Sequence, residues 1–171
     1  MKFQHSSIAL IGMPAVGKST VGVLLAKQLG YDFLDTDIVI QTKENMSLAR
    51  IIKKKGLGGF LDIEAGHLLN LSGHRQVIST GGSVIYREQA MRHLREFAVV
   101  VYLHTDLPTL LTRLSDIQAR GVAIDPSSSI ESLYEERTPL YDKFCDIKIE
   151  CRQNPPGQVA SDISTALVGY V

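Results

Sequence analysis

The chain has 171 residues, 44% of them hydrophobic and 21% charged, an ordinary globular composition that excludes a disordered or collagen-like chain. Eighteen basic residues balance eighteen acidic ones, so no excess of positive charge is available for sequence-independent nucleic-acid binding. No apolar run approaches the roughly 20 residues that span a bilayer, no secretory h-region follows Met1, and Cys145 and Cys151 alone make no disulfide framework. One domain covering residues 1–171 is expected, in a reducing cytoplasm.

Apolar runs and helical periods alternate along the chain. Ile8, Ala9, Leu10 and Ile11 predict a buried strand. Val21, Val23, Leu24, Leu25, Ala26 and Leu29 share one broad helical face over 18–29, and Gly30 is a stop. Phe33 and Leu34 form the core of a second strand that ends in Asp35, Thr36 and Asp37. A helix is predicted over 38–43. Ser47 is placed to cap another through Lys55, with Gly56 ending it, and 60–72 is again helical. A third strand spans 76–80 and breaks at Gly81-Gly82-Ser83. Helix 88–94 precedes the most apolar strand, 97–103. Asp106 caps a helix running to about Leu114. Residues 115–128 lack a strong period, contain Gly121 and Pro126, and predict a lid. Residues 130–144 are helical, with Pro139 bending or interrupting them. A last strand, 146–151, and a closing helix, 158–167, follow. Strands alternating with helices predict an α/β fold, a five-stranded parallel sheet with helices on both faces.

Gly12-Met13-Pro14-Ala15-Val16-Gly17-Lys18-Ser19 matches G-x-x-x-x-G-K-[ST], after a strand and before a helix. Backbone N–H groups of such a loop wrap phosphate, and the helix N-terminus adds positive potential. Lys18 reaches β- and γ-phosphate oxygens, and the Ser19 hydroxyl is placed for Mg²⁺. A nucleotide loop does not name a reaction, so the acceptor side must. Asp35 and Asp37 emerge at the carboxyl edge of the sheet, where ligands bind in open α/β folds. One is read as attending a metal shell and the other as meeting a substrate hydroxyl whose proton it accepts. The competing reading is an N-cap pair, and Asp37 can serve both purposes. Thr80-Gly81-Gly82 exposes backbone at the same edge, although a plain strand-to-helix turn explains it too. Arg113, at the end of a helix entering the predicted lid, Arg120 inside it, and Arg137 are the arginines placed for phosphate or acid groups. The basic run Arg50, Lys53, Lys54 and Lys55 is read as a solvated helix end, the five histidines show no zinc spacing, and Cys145 is read as a small core residue.

Taken together, the loop through Thr20, Leu34-Asp35-Thr36-Asp37, Thr80-Gly81-Gly82, Arg120, Glu136-Arg137-Thr138-Pro139-Leu140-Tyr141 and Asn154-Pro155 resemble the shikimate kinases in order and spacing, over nearly the whole chain. The resemblance implies a three-layer P-loop kinase fold with strand order 2-3-1-4-5 and a lid at about 115–128. It implies ATP with Mg²⁺, and phosphoryl transfer to a hydroxyl of shikimate. By the same resemblance, the catalytic residues are Lys18, Asp37 and Arg120. Gly12, Pro14, Ala15, Val16, Gly17, Lys18, Ser19 and Thr20 hold the nucleotide phosphates, and Arg113, Asn154 and Pro155 flank the adenine. Asp37, Gly81, Gly82 and Arg137 hold the acceptor, while Ser19 and Asp35 serve the metal. The expected partner is a small hydroxylated molecule, with neither nucleic acid nor membrane, on a monomeric chain.

Three places depart from the family pattern. Phe60-Leu61-Asp62-Ile63-Glu64 stands where the family reads F-R-x-x-E, so the arginine that clamps the shikimate carboxylate is Leu61 here. A charge-assisted hydrogen bond contributes roughly 1.5–3 kcal/mol, so its loss weakens binding by about 10- to 150-fold. Asp62 repels a carboxylate if it faces the site. Ser83 replaces a third glycine, and Gly121-Val122-Ala123 replaces the usual lid sequence. Two alternatives therefore stand beside shikimate phosphorylation: a kinase of the same fold acting on a different polyol or hydroxy acid, and a nucleotide-binding regulatory protein without transfer activity. Arg87 or Arg92 is a possible source of the missing cation.

Overall fold

A computed structural model describes residues 6–118 and 129–170. Five parallel strands, β1 (Ser7–Ile11), β2 (Asp32–Asp35), β3 (Gln76–Ser79), β4 (Ala98–His104) and β5 (Ile147–Glu150), form one sheet in the order β2-β3-β1-β4-β5. Ile8 pairs with Val77 on one side and Val99 on the other, so β1 lies at the centre. Alternation along the strands divides the core into two layers. Ala9 and Ile11 of β1, with Ala98, Val100 and Tyr102 of β4, face one way. They meet Met91 and Leu94 of α4 (Glu88–Phe97), Leu110 of α5 (Leu107–Gln118) and Tyr141 of α6 (Ile130–Phe144). Ile8 and Leu10, with Val99, Val101 and Leu103, face the other way, onto Val21 and Leu25 of α1 (Lys18–Leu29) and Val159 and Ile163 of α7 (Pro156–Ala166). The central strands are apolar on both faces because helices cover both.

A third, smaller cluster joins Ile40 of α2 (Thr36–Glu44) to Ile51, Phe60 and Leu61 of α3 (Leu48–Leu69). It carries the acceptor side of the cavity described below. The helices predicted over 47–55 and 60–72 meet end to end in α3. The junction is Gly56, whose φ of 72° and ψ of 172° break the helical path without ending the element. Ser47 caps the first part by accepting from Arg50 N, and Asp106 accepts from Thr109 N at the start of α5.

Several boundaries differ from expectation. The end of β2 is not extended through Asp37. Asp35 accepts from the N–H groups of Asp37 and Ile38, and this cap starts α2 at Thr36. Asp35 is therefore the capping residue, and Asp37 sits in the first turn. Pro139 neither ends nor divides α6, which runs to Phe144. The helix α5 continues to Gln118, so Arg113 lies within it rather than at its end. Arg120 and most of the predicted lid lie outside the described residues. Cys145 is only half-buried, whereas Cys151 is buried. Among the described residues no helix is long and apolar enough to cross a membrane.

Candidate active site

Because every strand is parallel, the ends of β1, β2 and β3 bring the phosphate loop, Asp35 with Asp37, and Thr80-Gly81-Gly82 to one edge of the sheet. One cavity of about 1210 Å³ opens there. Its lining includes Pro14 through Thr20 on the loop side, and Arg113, Asn154 and Pro156 at one end. Asp37, Gly81, Gly82, Ser83 and Arg137 lie at the other.

Tight backbone geometry shapes the loop. Gly12, Ala15 and Gly17 have φ of 145°, 66° and 107°. A Cβ on Gly12 would stand 2.6 Å from the Leu103 carbonyl oxygen, so this glycine lets the loop pass the end of β4 and does not itself line the cavity. Ala15 bears the strain of a left-handed conformation that non-glycine residues rarely adopt, a feature concentrated at functional sites. Lys18 is buried and donates to the carbonyl oxygens of Gly12 and Met13 at 2.8 and 2.9 Å. Burial pulls its ammonium down to about 8, opposed by the Asp37 carboxylate. The Ser19 hydroxyl donates to Asp35 Oδ2 at 2.6 Å. Asp35 thus ties the start of α1 to the start of α2 through both of its oxygens.

On the acceptor side, two carboxyl groups converge on Gly81. A Cβ there would collide with Glu64 Oε1 and meet Asp37 Oδ1 at 3.0 Å, so any residue but glycine would have to displace the Glu64 carboxyl. Both of those oxygens are buried without a hydrogen-bond partner among the described residues. Burial raises the Asp37 carboxyl above its ordinary range, countered by Lys18. Burial pushes the Glu64 carboxyl up to about 7, and the hydrogen bond from Ser83 opposes this. Ser83 Oγ donates to Glu64 Oε2 at 2.8 Å. The serine that replaces a glycine thereby gives Glu64 a partner that its apolar neighbour Leu61 does not provide.

Gly82 lies against Arg137 and Pro14, in a tight fit: a Cβ would stand 3.1 Å from each, so either neighbour would have to give by a few tenths of an ångström. Arg137 is only 9% exposed. Its Nε donates to Tyr86 Oη at 3.1 Å, and its guanidinium lies over the Tyr86 ring. The Tyr86 hydroxyl in turn donates to Glu136. Tyr141 donates to the Gly82 carbonyl at 2.6 Å and stacks on Tyr102, which anchors α6 over the glycine turn.

The nucleotide end departs from expectation in detail. Arg113 donates to the Val16 and Arg152 carbonyls, so it braces the phosphate loop against the connection that follows β5. Asn154 lines the cavity, but Pro155 does not; it is the N-cap residue of α7, and Pro156 takes its place at the wall. Asp62 is mostly exposed and pairs with Arg87, which lines the cavity, so it is not an unpaired charge aimed at the acceptor. Arg92 pairs with Glu88 on the outer surface of α4. Sequence reasoning did not find the Ser83–Glu64 and Arg87–Asp62 pairings, which join segments 19 and 25 residues apart. No local period signals contacts of that range.

A model of the shikimate kinase family matches residues 14–168. The chain belongs to the shikimate kinase family. It is 36% identical to the shikimate kinase of Aquifex aeolicus over 163 residues, 95% of this chain and 96% of that protein. With the shikimate kinase of Nostoc sp. it shares 34% over 168 residues, 96% of this chain and 92% of that one. A solved shikimate kinase from Acinetobacter baumannii in complex with shikimate superposes with a TM-score of 0.88 at 30% identity, covering 98% of this chain and 95% of that one. A sugar kinase from Janibacter sp. reaches 0.67 at 18% identity over 96% of this chain and 95% of that one, a likeness of fold alone. This member of the shikimate kinase family is a small-molecule kinase with a P-loop.

Proposed function

We propose that this kinase transfers the γ-phosphoryl group of ATP to a hydroxyl of shikimate, giving shikimate 3-phosphate. The observation that carries the reading is the single cavity that joins Lys18 and Ser19 to Asp37, Gly81, Gly82 and Arg137. Both halves of a transfer site open into one volume, as an in-line displacement requires.

Lys18 sits where its ammonium neutralises phosphate charge. Its hold on the two loop carbonyls keeps it oriented before the nucleotide arrives. Asp37 orients the acceptor hydroxyl and takes its proton as the oxygen bonds to the γ-phosphorus and the bond to the departing ADP oxygen breaks. Asp37 lines the cavity, and its Oδ1 is buried against Gly81 with no hydrogen-bond partner among the described residues. Arg137 supplies positive charge for the acid group of the acceptor. Mg²⁺ spreads the charge of the phosphates. The hard oxygens of Ser19 and, behind it, Asp35 fit such an ion, and these two residues would hold it directly or through water.

The test is ADP release from Mg-ATP across a wide shikimate range. Shikimate-dependent turnover that saturates on the order of a millimolar or below is expected. Confirmed ATP binding with no stimulation by shikimate would overturn the reading. Leu61, 8% exposed on the cavity wall beside Ile52 and Leu57, favours one second reading: a less acidic hydroxylated acceptor. It requires neutral polyols to outperform shikimate in the same assay.

A further inference from the structure

Leu61 leaves the acceptor wall without the cation that the family pattern places there, and the cavity contains another. Arg87 lies at the start of α4, directly after Tyr86, the residue that holds Arg137. It lines the same cavity as Phe60, Leu61 and Arg137. Its Nε and Nη2 both donate to Asp62 Oδ1, at 3.1 and 2.8 Å. Asp62 follows Leu61 on α3 and faces outward, whereas Arg87 and Leu61 line the same cavity, so the pairing leaves the guanidinium on the cavity from which the family's arginine is missing. One carboxylate oxygen takes both bonds, and Nη1 has no acceptor among the described residues. The Asp62 side chain is 73% exposed and that of Arg87 37%. Ion pairs this exposed are weak, so a carboxylate entering the cavity displaces Asp62 at little cost. A planar guanidinium suits that exchange, because its donor fork matches any carboxylate.

We propose that Arg87 is the carboxylate-binding residue of this kinase. It takes over from Leu61 and works opposite Arg137, with Asp62 as the internal anion that holds it until an acidic acceptor arrives. This inference rests on shikimate, or a hydroxy acid like it, being the acceptor. Arg87 acts in binding rather than in the transfer step, so its signature is a change in KM at nearly constant kcat.

The experiment compares KM and kcat for shikimate and for its neutral carboxamide. In Arg87→Ala, the shikimate KM is expected to rise by about 10- to 100-fold, with the carboxamide KM little changed. Asp62→Asn frees the guanidinium and should lower the shikimate KM. Leu61→Arg placed in the Arg87→Ala background should restore it. The thermal shift with Mg-ATP reports folding of each variant independently. If Arg87→Ala fails to fold, the Asp62→Asn and Leu61→Arg variants decide the matter. Shikimate turnover with an unchanged KM in Arg87→Ala, or an equal loss for acid and carboxamide, overturns this inference and leaves the proposed function standing. No shikimate turnover by the unaltered enzyme overturns both.

Discussion

Glu64 is 1% exposed, with one oxygen bonded to Ser83 and the other without a hydrogen-bond partner among the described residues. Its carboxyl titrates at about 7 in the fold against an ordinary 4.5, because burial penalises the charged form. The native state therefore holds this proton more tightly than the unfolded chain. Stability from this group is full below about 4.5, falls as pH rises through the interval to 7, and stays low above it. The interval corresponds to a penalty of about 3 kcal/mol at pH 8. Glu64→Gln keeps an acceptor for Ser83 and removes the titration. In the ligand-free protein it should gain stability over the wild type at pH 8, and the difference should shrink toward zero near pH 4. Melting temperatures of both proteins across that range check this; parallel profiles would refute it. Lys18 and Asp37 are tested by chemistry. Lys18→Met should lower kcat at least about 100-fold, as loss of a preorganised charge partner does. Asp37→Asn should lower kcat by about 100- to 10,000-fold with ATP affinity nearly intact. Initial rates together with nucleotide titrations separate the two effects.

Among the elements, α3 shows how one residue sets the shape of the acceptor side. Its two halves meet at Gly56, in a backbone region nearly closed to other residues, although open space surrounds the position. Gly56→Ala meets no steric neighbour, so its cost is backbone strain alone, about 1–3 kcal/mol. Urea unfolding should show that loss with an unchanged m-value. The same strain reshapes the joint between Ile51 and Phe60, so the acceptor KM should rise more than the ATP KM. The start of α2 differs from the extended end expected there, and the N-cap alternative holds, for a physical reason. Asp-Thr-Asp supports either an extended end or a helix start; the Asp37 and Ile38 N–H groups donating to Asp35 Oδ1 make it a helix start, and the Ser19 hydroxyl holds the other oxygen.

For the whole molecule, the cavity spans the edge of the sheet between the two core layers and the smaller α2–α3 cluster. Ligands that bind there only in the folded state must stabilise all of it. Mg-ATP at about 100 times its Kd adds about 2.7 kcal/mol, which for a chain of this length raises Tm by roughly 5–10 °C. Lys18→Met should lose most of that shift, and differential scanning fluorimetry reads both. A full shift in the variant would show that the loop lysine does not carry nucleotide affinity.

The order of elements, the parallel sheet and the phosphate loop were legible in the sequence. Each rests on local rules: period 2 against period 3.6, turn residues, and a loop motif flanked by a strand and a helix. The strand order, Lys18, Asp37, Gly81, Gly82 and Arg137 followed from family resemblance joined to those rules, and the fold brings these residues to one cavity. Tertiary structure alone decided which polar groups satisfy one another. Ser83 became the partner of Glu64, Arg87 the partner of Asp62, Arg113 a brace for the loop, and Pro155 a helix cap behind the wall. Those pairings depend on side chains from distant segments meeting in space, at Glu64 where burial makes an unpaired carboxyl costly, and no spacing along the chain encodes such a meeting.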